Sequence, residues 1–298
     1  MQCWAMSSVS ENNLPARAPA ANEDRHVNGY VKKFFATRSF AEQPLATSWR
    51  ALSYIALTRA RVPASFTIRF GDVSFKMRLQ RPKPKFGIAN IYLQRRYYEP
   101  LLEFGHKLLS AGESAVDGGA SQGVYSCAFA AKIGASGRVY AFEPLDYAIQ
   151  CLRNNIALNG FDNVTVFAGA LSETAGSAFI DISRGPSYGS IVHGFGDQSG
   201  NNVTTFSVDE LRRQGCIGPV HFIKLDVEGA ELAALKGAGE TIEKDRPRLC
   251  IEANEKDDFD LAAAFLSTFR LKPYVFDERG ALHRFDRFVP TANVFFLD

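Results

Sequence analysis

No apolar run in this chain approaches the length needed to cross a bilayer, so a helical membrane span is not expected. Excess charge is also missing. Lys and Arg total 34 against 32 Asp and Glu, a net charge of +2, which gives no support for nucleic acid as the main partner. The opening residues MQCWAMSSVSENN lack a basic segment followed by an apolar one. No secretion signal is read there, and a cytoplasmic location is expected. There is no C-x-x-C pair. The five cysteines (Cys3, Cys127, Cys151, Cys216, Cys250) are scattered and odd in number, as expected of mostly buried thiols in a reducing compartment. No internal repeat is visible. What remains is a 298-residue chain, 46% hydrophobic, long enough for one large domain or one domain with an appendage.

The informative stretch runs from Glu113 to Pro144. Ser114-Ala115-Val116 is a short apolar strand ending at Asp117. Gly118, Gly119 and Gly123 punctuate a tight turn, and Val124–Ile133 reads as an Ala-rich helix packed on a sheet. Arg138–Phe142 reads as a second buried strand, with Glu143 at its tip. This is a mononucleotide-binding βαβ pattern: glycines permit the turn and close approach of a ligand, and the strand-tip carboxylate accepts ribose hydroxyl protons. The dinucleotide spacing G-x-G-x-x-G is absent. A nucleoside ligand with no phosphate requirement is therefore expected, and S-adenosylmethionine fits best. Gly119-Ala120-Ser121-Gln122-Gly123 also matches G-x-S-x-G, the nucleophile elbow of serine hydrolases. That reading needs a downstream acid and histidine. It has only His283, in a polar stretch, and it leaves Asp117 and Glu143 unexplained.

Residues 1–28 read as a mobile tail and 29–96 as an appendage holding a helix and a β-hairpin; 97–298 read as the catalytic domain. The helix, over 45–62, is expected to dock its apolar positions (Leu45, Trp49, Leu52, Ile55, Ala56, Leu57) on the main domain. Ser65–Leu79 reads as a hairpin turning at Gly71-Asp72, in a type II′ turn. Arg81–Lys85 reads as a basic, stiff connector. Glu99 either faces the ligand site or favours the N-terminus of the helix that begins at Pro100. Ala170 and Leu171 fall where a loop can cover an adenine ring. Ser183–Asn202 reads as a long functional loop carrying His193, a candidate base. Leu232–Ile242 reads as one helix, and Glu278–Ala292 as a loop between closing strands. The alternation of short strands and helices predicts a doubly wound, mostly parallel α/β sheet.

A second constellation, Lys224-Leu225-Asp226-Val227-Glu228-Gly229-Ala230-Glu231, sets three carboxylates at a strand end. Asp226 shares the ligand-binding edge with Asp117 and Glu143. Glu231 reads as a helix-start carboxylate. Asp226, Glu252 and Asn254 can offer oxygens to a divalent ion, although a metal is not expected.

Together Tyr98-Glu99-Pro100, Val116–Gly123, Ala141–Pro144, Asn154–Gly160, Ala170-Leu171 and Ile223–Glu231 resemble the FkbM family of S-adenosylmethionine-dependent methyltransferases over residues 97–297. The resemblance implies a Rossmann-like, seven-stranded sheet with its last strand inserted antiparallel. It implies Gly119, Ser121 and Gly123 against the methionine part of the cofactor, Glu143 on its ribose and Ala170 and Leu171 near its adenine. It also implies methylation of a hydroxyl on a sugar, lipid, polyketide or other small molecule. The expected cofactor-binding set is Glu99, Asp117, Gly119, Ser121, Gly123, Glu143, Pro144, Ala170, Leu171 and Asp226, and the candidate bases are Asp226, Glu228 and His193. A homo-oligomer is compatible with the sequence. A non-catalytic cofactor-binding module serving a partner through residues 29–96 is the alternative of a different class.

Overall fold

The computed structural model describes residues 34–79, 87–181, 190–192, 201–289 and 291–298. The tail over 1–28, the Arg81–Lys85 connector, Cys3 and His193 lie outside the described residues.

The first described elements are helices α1 (Arg38–Glu42) and α2 (Pro44–Ala60). Proline at the first position of α2 costs no hydrogen bond, because that amide has no helical partner. A hairpin follows, β1 (Ala64–Phe70) and β2 (Val73–Leu79), whose alternate residues Phe66, Ile68, Phe70, Val73, Phe75, Met77 and Leu79 are all buried. At its turn Gly71 takes φ +50° and Asp72 does not take a positive φ, as the type II′ geometry requires. Helices α3 (Ile88–Gln94) and α4 (Pro100–Phe104) lead into the α/β region.

That region runs β3 (Ser114–Gly118), α5 (Val124–Ile133), β4 (Arg138–Glu143), α6 (Asp146–Asn159), β5 (Val164–Ala168), β6 (Ala170–Leu171), β7 (Gly176–Asp181), β8 (Ser190–Val192) and β9 (Asn201–Phe206). It continues with α7 (Val208–Arg213), β10 (Phe222–Leu225), α8 (Glu231–Lys236), α9 (Gly239–Asp245), β11 (Arg248–Ala253), α10 (Lys256–Ser267), β12 (Lys272–Phe276), β13 (Leu282–Arg284) and β14 (Thr291–Leu297). The main sheet has the order β13-β12-β14-β11-β10-β3-β4-β5. Strands β5, β4, β3, β10 and β11 are mutually parallel, and β14 enters antiparallel between β11 and β12. This is the expected mostly parallel sheet with an inserted antiparallel strand, but β13 adds an eighth strand at its edge to the seven expected.

Successive strand residues face opposite layers. Ala115 packs with α5 and the inward side of the hairpin, in one core with Ile68, Phe75, Phe129 and Phe222. Val116 packs on the other side, with Phe142, Leu235, Ile242, Ile251 and Phe296. The strand order reverses between β3 and β10. Their carboxyl ends therefore border the crevice where ligands bind in such sheets.

Four expectations are corrected. The 278–292 stretch is not all loop: β13 pairs antiparallel with β12, and its three residues are all exposed, so no apolar alternation marks it. The Ser183–Asn202 stretch contains β8 and the start of β9, which join β6 and β7 in a separate sheet of order β6-β9-β7-β8. The single helix over 232–242 is two, α8 and α9, parted at Gly237, where a Cβ would stand 2.1 Å from the Ser172 carbonyl oxygen. Finally, α2 turns only part of its apolar stripe inward: Leu57 packs on the core, whereas Leu45, Trp49, Leu52, Ile55 and Ala56 are exposed. Among the described residues no helix is long and apolar enough to cross a membrane.

Candidate active site

The turn after β3 is shaped by what passes beside it. Gly119 has φ +71°, and a Cβ there would lie 1.9 Å from the Asp226 carbonyl oxygen. Gly123 has φ +84° at the start of α5, and its Cβ would meet Leu152 Cδ1 at 2.5 Å. Both positions need glycine for conformation and for space. The turn is tied to the neighbouring strand, since Gly119 N and Ala120 N both donate to Phe142 O, at 3.0 and 2.9 Å.

This brings Ser121 to Glu143. Ser121 adopts a left-handed φ of 49°, and its N–H donates to Glu143 Oε2 at 2.7 Å. Leu145 N–H donates to Oε1 at 3.0 Å, holding the half-buried Pro144 between the two residues. The Glu143 side chain is buried, and burial pushes its carboxyl up to about 7 against the pull of those two amides. A carboxylate has about four acceptor positions. One bond to each oxygen leaves each with room for one more donor, spaced as vicinal hydroxyls are.

Sequence reasoning missed the group at the centre of the site, Lys224. It is buried within β10, and its Nζ donates to Gly118 O at 3.2 Å and Gly119 O at 3.1 Å. The same ammonium lies 3.4 Å from Asp117 Oδ1 and 3.4 Å from Asp226 Oδ2, and over the ring of Tyr125. Those carboxylates hold its pKa above the ordinary lysine value despite burial. Asp117 is fully buried and turned inward: Oδ2 accepts from Ser126 Oγ at 2.6 Å, and Oδ1 faces Lys224. Burial raises its pKa and Lys224 opposes the rise. A lysine inside the apolar strand His221-Phe222-Ile223-Lys224-Leu225 was the available signal, because a buried cation needs anionic partners.

Glu99 precedes the first residue of α4 and lies half-buried against α5, where its Oε2 accepts from the Tyr125 hydroxyl and, at 3.5 Å, from Asn293 Nδ2. Burial raises its pKa. The Tyr98 hydroxyl is raised well above its usual value by burial and by the charges of Glu99, Asp226 and Glu252. Tyr98 lies in the Tyr98-Glu99-Pro100 motif already read, whereas Tyr125 and Asn293 escaped sequence reasoning, because nothing in their local sequence points to the site.

Asp226, Glu228 and Glu252 can each bring an oxygen within 4.8 Å of the others, a grouping able to hold a cation. Glu228 thus joins the pair read from sequence, and Asn254 hydrogen-bonds Glu252. Glu252 is pushed up to about 9 by burial, by the Asp226 charge and by a hydrogen bond to it. Glu228 takes a left-handed φ of 52° and rises to about 7 through burial and the same neighbour. Burial and the Asp226 charge thus favour a proton on Glu252, shared in its hydrogen bond to Asp226. Glu231 begins α8 and accepts from Val227 N at 3.1 Å, closing the loop that carries Asp226 and Glu228.

Ala170 and Leu171 are buried in β6, and Leu171 Cδ1 would stand 2.9 Å from a Cβ on Gly118. Ser121 itself is exposed. The described histidines make their contacts elsewhere: His221 Nδ1 accepts from Ser114 N, His283 pairs with Asp277, and His106 packs by Gly71. The hydrolase arrangement therefore has no base at Ser121 among the described residues. Of the described cysteines, Cys127, Cys151 and Cys250 are buried and Cys216 is exposed.

The profile of the methyltransferase FkbM domain family matches residues 117–278. Among solved structures, the chain is similar to a methyltransferase FkbM from Methylobacillus flagellatus KT, at 25% identity and a TM-score of 0.47 over 70% of this chain and 52% of that one. It is also similar to a SAM-dependent O-methyltransferase from Thermotoga maritima, at 18% identity and TM-score 0.37 over 65% of this chain and 62% of that one. A third likeness is to Aeropyrum pernix fibrillarin with natively bound S-adenosyl-L-methionine, at 12% identity and TM-score 0.42 over 79% and 99% of the two chains. The chain spans about half the length of the Methylobacillus protein. No curated protein matches it.

Proposed function

Because this chain belongs to the methyltransferase FkbM domain family, we propose that it is an S-adenosylmethionine-dependent methyltransferase acting on a hydroxyl oxygen of a sugar, lipid, polyketide-type product or other small molecule. The observation that carries the reading is Glu143. It is a buried carboxylate at the tip of β4, held by Ser121 N and Leu145 N, with one acceptor position left on each oxygen. That pair of acceptors fits the two hydroxyl donors of a ribose diol, and the glycine turn beside it admits close approach of a ligand. Gly119, Ser121 and Gly123 would border the methionine part, with Glu143 on the ribose and Ala170 and Leu171 on the adenine side. Bound there, S-adenosylmethionine supplies a methyl group activated by a sulfonium.

The chain's own tasks are alignment and proton removal. An acceptor hydroxyl must sit in line at about 3 Å from the carbon it attacks. Its proton leaves as the C–O bond forms, because an alcohol is too weak an acid to ionise beforehand. Asp226 is the proposed base. Its side chain is about one-third exposed at the crevice, and Lys224 holds one of its oxygens at 3.4 Å. Glu228, raised to about 7, stands next to it as an alternative acceptor of the proton.

Calorimetric titration with S-adenosylmethionine and S-adenosylhomocysteine tests the cofactor, using wild type and Glu143→Ala. Binding by wild type that is lost in the variant supports the reading. Absence of binding to folded wild type overturns it. Transfer of labelled methyl to hydroxylated acceptors then tests the reaction and excludes a purely binding role.

A further inference from the structure

Helix α2 turns an apolar stripe away from the protein and several polar groups toward it. Its polar residues face the protein: the buried Thr47 hydroxyl donates to Ser39 O at 2.8 Å, and Arg50 donates to Leu93 O and to Gln43 Oε1, both at 2.8 Å. Tyr54 and Leu57 pack on the core, but four other large apolar residues face outward, with Leu45, Trp49, Leu52 and Ile55 exposed by 87, 70, 63 and 47%. Their spacing sets them along one stripe of the helix. Single exposed leucines are ordinary, but an unbroken stripe of this kind marks an interaction surface.

Charge identifies the partner. Helix α2 contains no acidic residue, and Arg59 and Arg61 are exposed at its C-terminal end. Between Glu42 and Glu99 the chain carries eleven Lys and Arg against one acid, Asp72, so the rest of the chain is net acidic. Three of those cations, Arg69, Lys76 and Arg78, are exposed on the outward side of the hairpin. A second copy of this chain would bring two such basic regions together and be repelled. An anionic lipid surface attracts them, and it accepts tryptophan and leucine at headgroup depth.

We propose that α2 is an interfacial anchor that lays the Leu45–Trp49–Leu52–Ile55 stripe on an anionic bilayer surface without crossing it. The full chain is sedimented with phosphatidylcholine vesicles and with phosphatidylcholine/phosphatidylglycerol vesicles. Binding to the anionic vesicles is expected, weakened roughly tenfold or more when phosphatidylglycerol is omitted or salt is raised. In a Trp4→Phe background, Trp49 emission should shift to the blue on binding. The double variant Trp49→Ser/Leu52→Ser should lose binding while keeping wild-type circular dichroism, since both side chains are already exposed.

Three results would overturn the proposal. One is no sedimentation with either vesicle. Another is a concentration-dependent dimer abolished by the double variant, which makes a second copy the occupant. The third is a Trp49 already shielded from acrylamide without vesicles, which means the chain covers its own stripe.

Discussion

The Gly119 backbone passes so close to Asp226 that a Cβ on the glycine would stand 1.9 Å from the Asp226 carbonyl oxygen. The glycine turn after β3 and the acidic loop after β10 are thus in direct contact and must move together. Gly119→Ala should destabilise the fold by more than about 2 kcal/mol, combining a left-handed backbone with a clash against main chain. Urea denaturation reads the loss. An unchanged midpoint would mean that the two loops do not meet.

Lys224 is expected to be the most sensitive side chain of the site. Lys224→Met removes the cation facing Asp117 and Asp226 and leaves Asp117 charged and buried. Such a loss costs about 3–5 kcal/mol. Adding Asp117→Asn should restore part of it, because the buried charge is then gone. Thermal and chemical melts of the single and double variants check both statements.

The pH dependence follows from Glu143. Its folded pKa of about 7 lies above the ordinary carboxylate value, so the protein holds a proton there that the unfolded chain releases. Its contribution to stability is greatest below the unfolded pKa, falls as pH rises toward 7, and levels off above that. Cofactor binding should run the other way, because only the ionised form offers both oxygens to hydroxyl donors. Affinity for S-adenosylhomocysteine should rise roughly tenfold between pH 6 and 8 and then flatten. Glu143→Gln should bind weakly with no such slope. A sloped profile in the variant would assign the titration to another group.

Asp226→Asn should lower methyl transfer by about 10²-fold or more, far beyond any weakening of cofactor binding. Single-turnover assays beside calorimetry separate the two effects. Unchanged turnover would remove Asp226 from the proton path and leave Glu228 as the next candidate.

Much of this was legible before any fold was known. The β3–α5–β4 unit, the hairpin and Glu143 at its strand tip are marked by signals within a few residues of one another: glycines at turns, period-two alternation and an acid ending an apolar run. The misread parts have no such local mark. Strand β13 is wholly exposed, and β8 and β9 lie in a polar, Gly-rich stretch, so only their partners make them strands. Helix α2 carried a clear apolar stripe, but a stripe does not say which side the protein lies on. Polar bonds from Thr47 and Arg50 to neighbouring helices turned it outward.

By itself, then, the sequence determined the alternation of strands and helices and which residues stand at strand ends. Backbone propensity and burial patterning act over short range. Tertiary structure decided that Lys224 joins Asp117 to Asp226, that Glu99 meets Tyr125 and that Gly119 lies against Asp226. Lys224 and Asp117, like Gly119 and Asp226, stand 107 positions apart and meet only because β3 and β10 lie side by side in the sheet; Glu99 and Tyr125, 26 apart, meet where the start of α4 packs on α5.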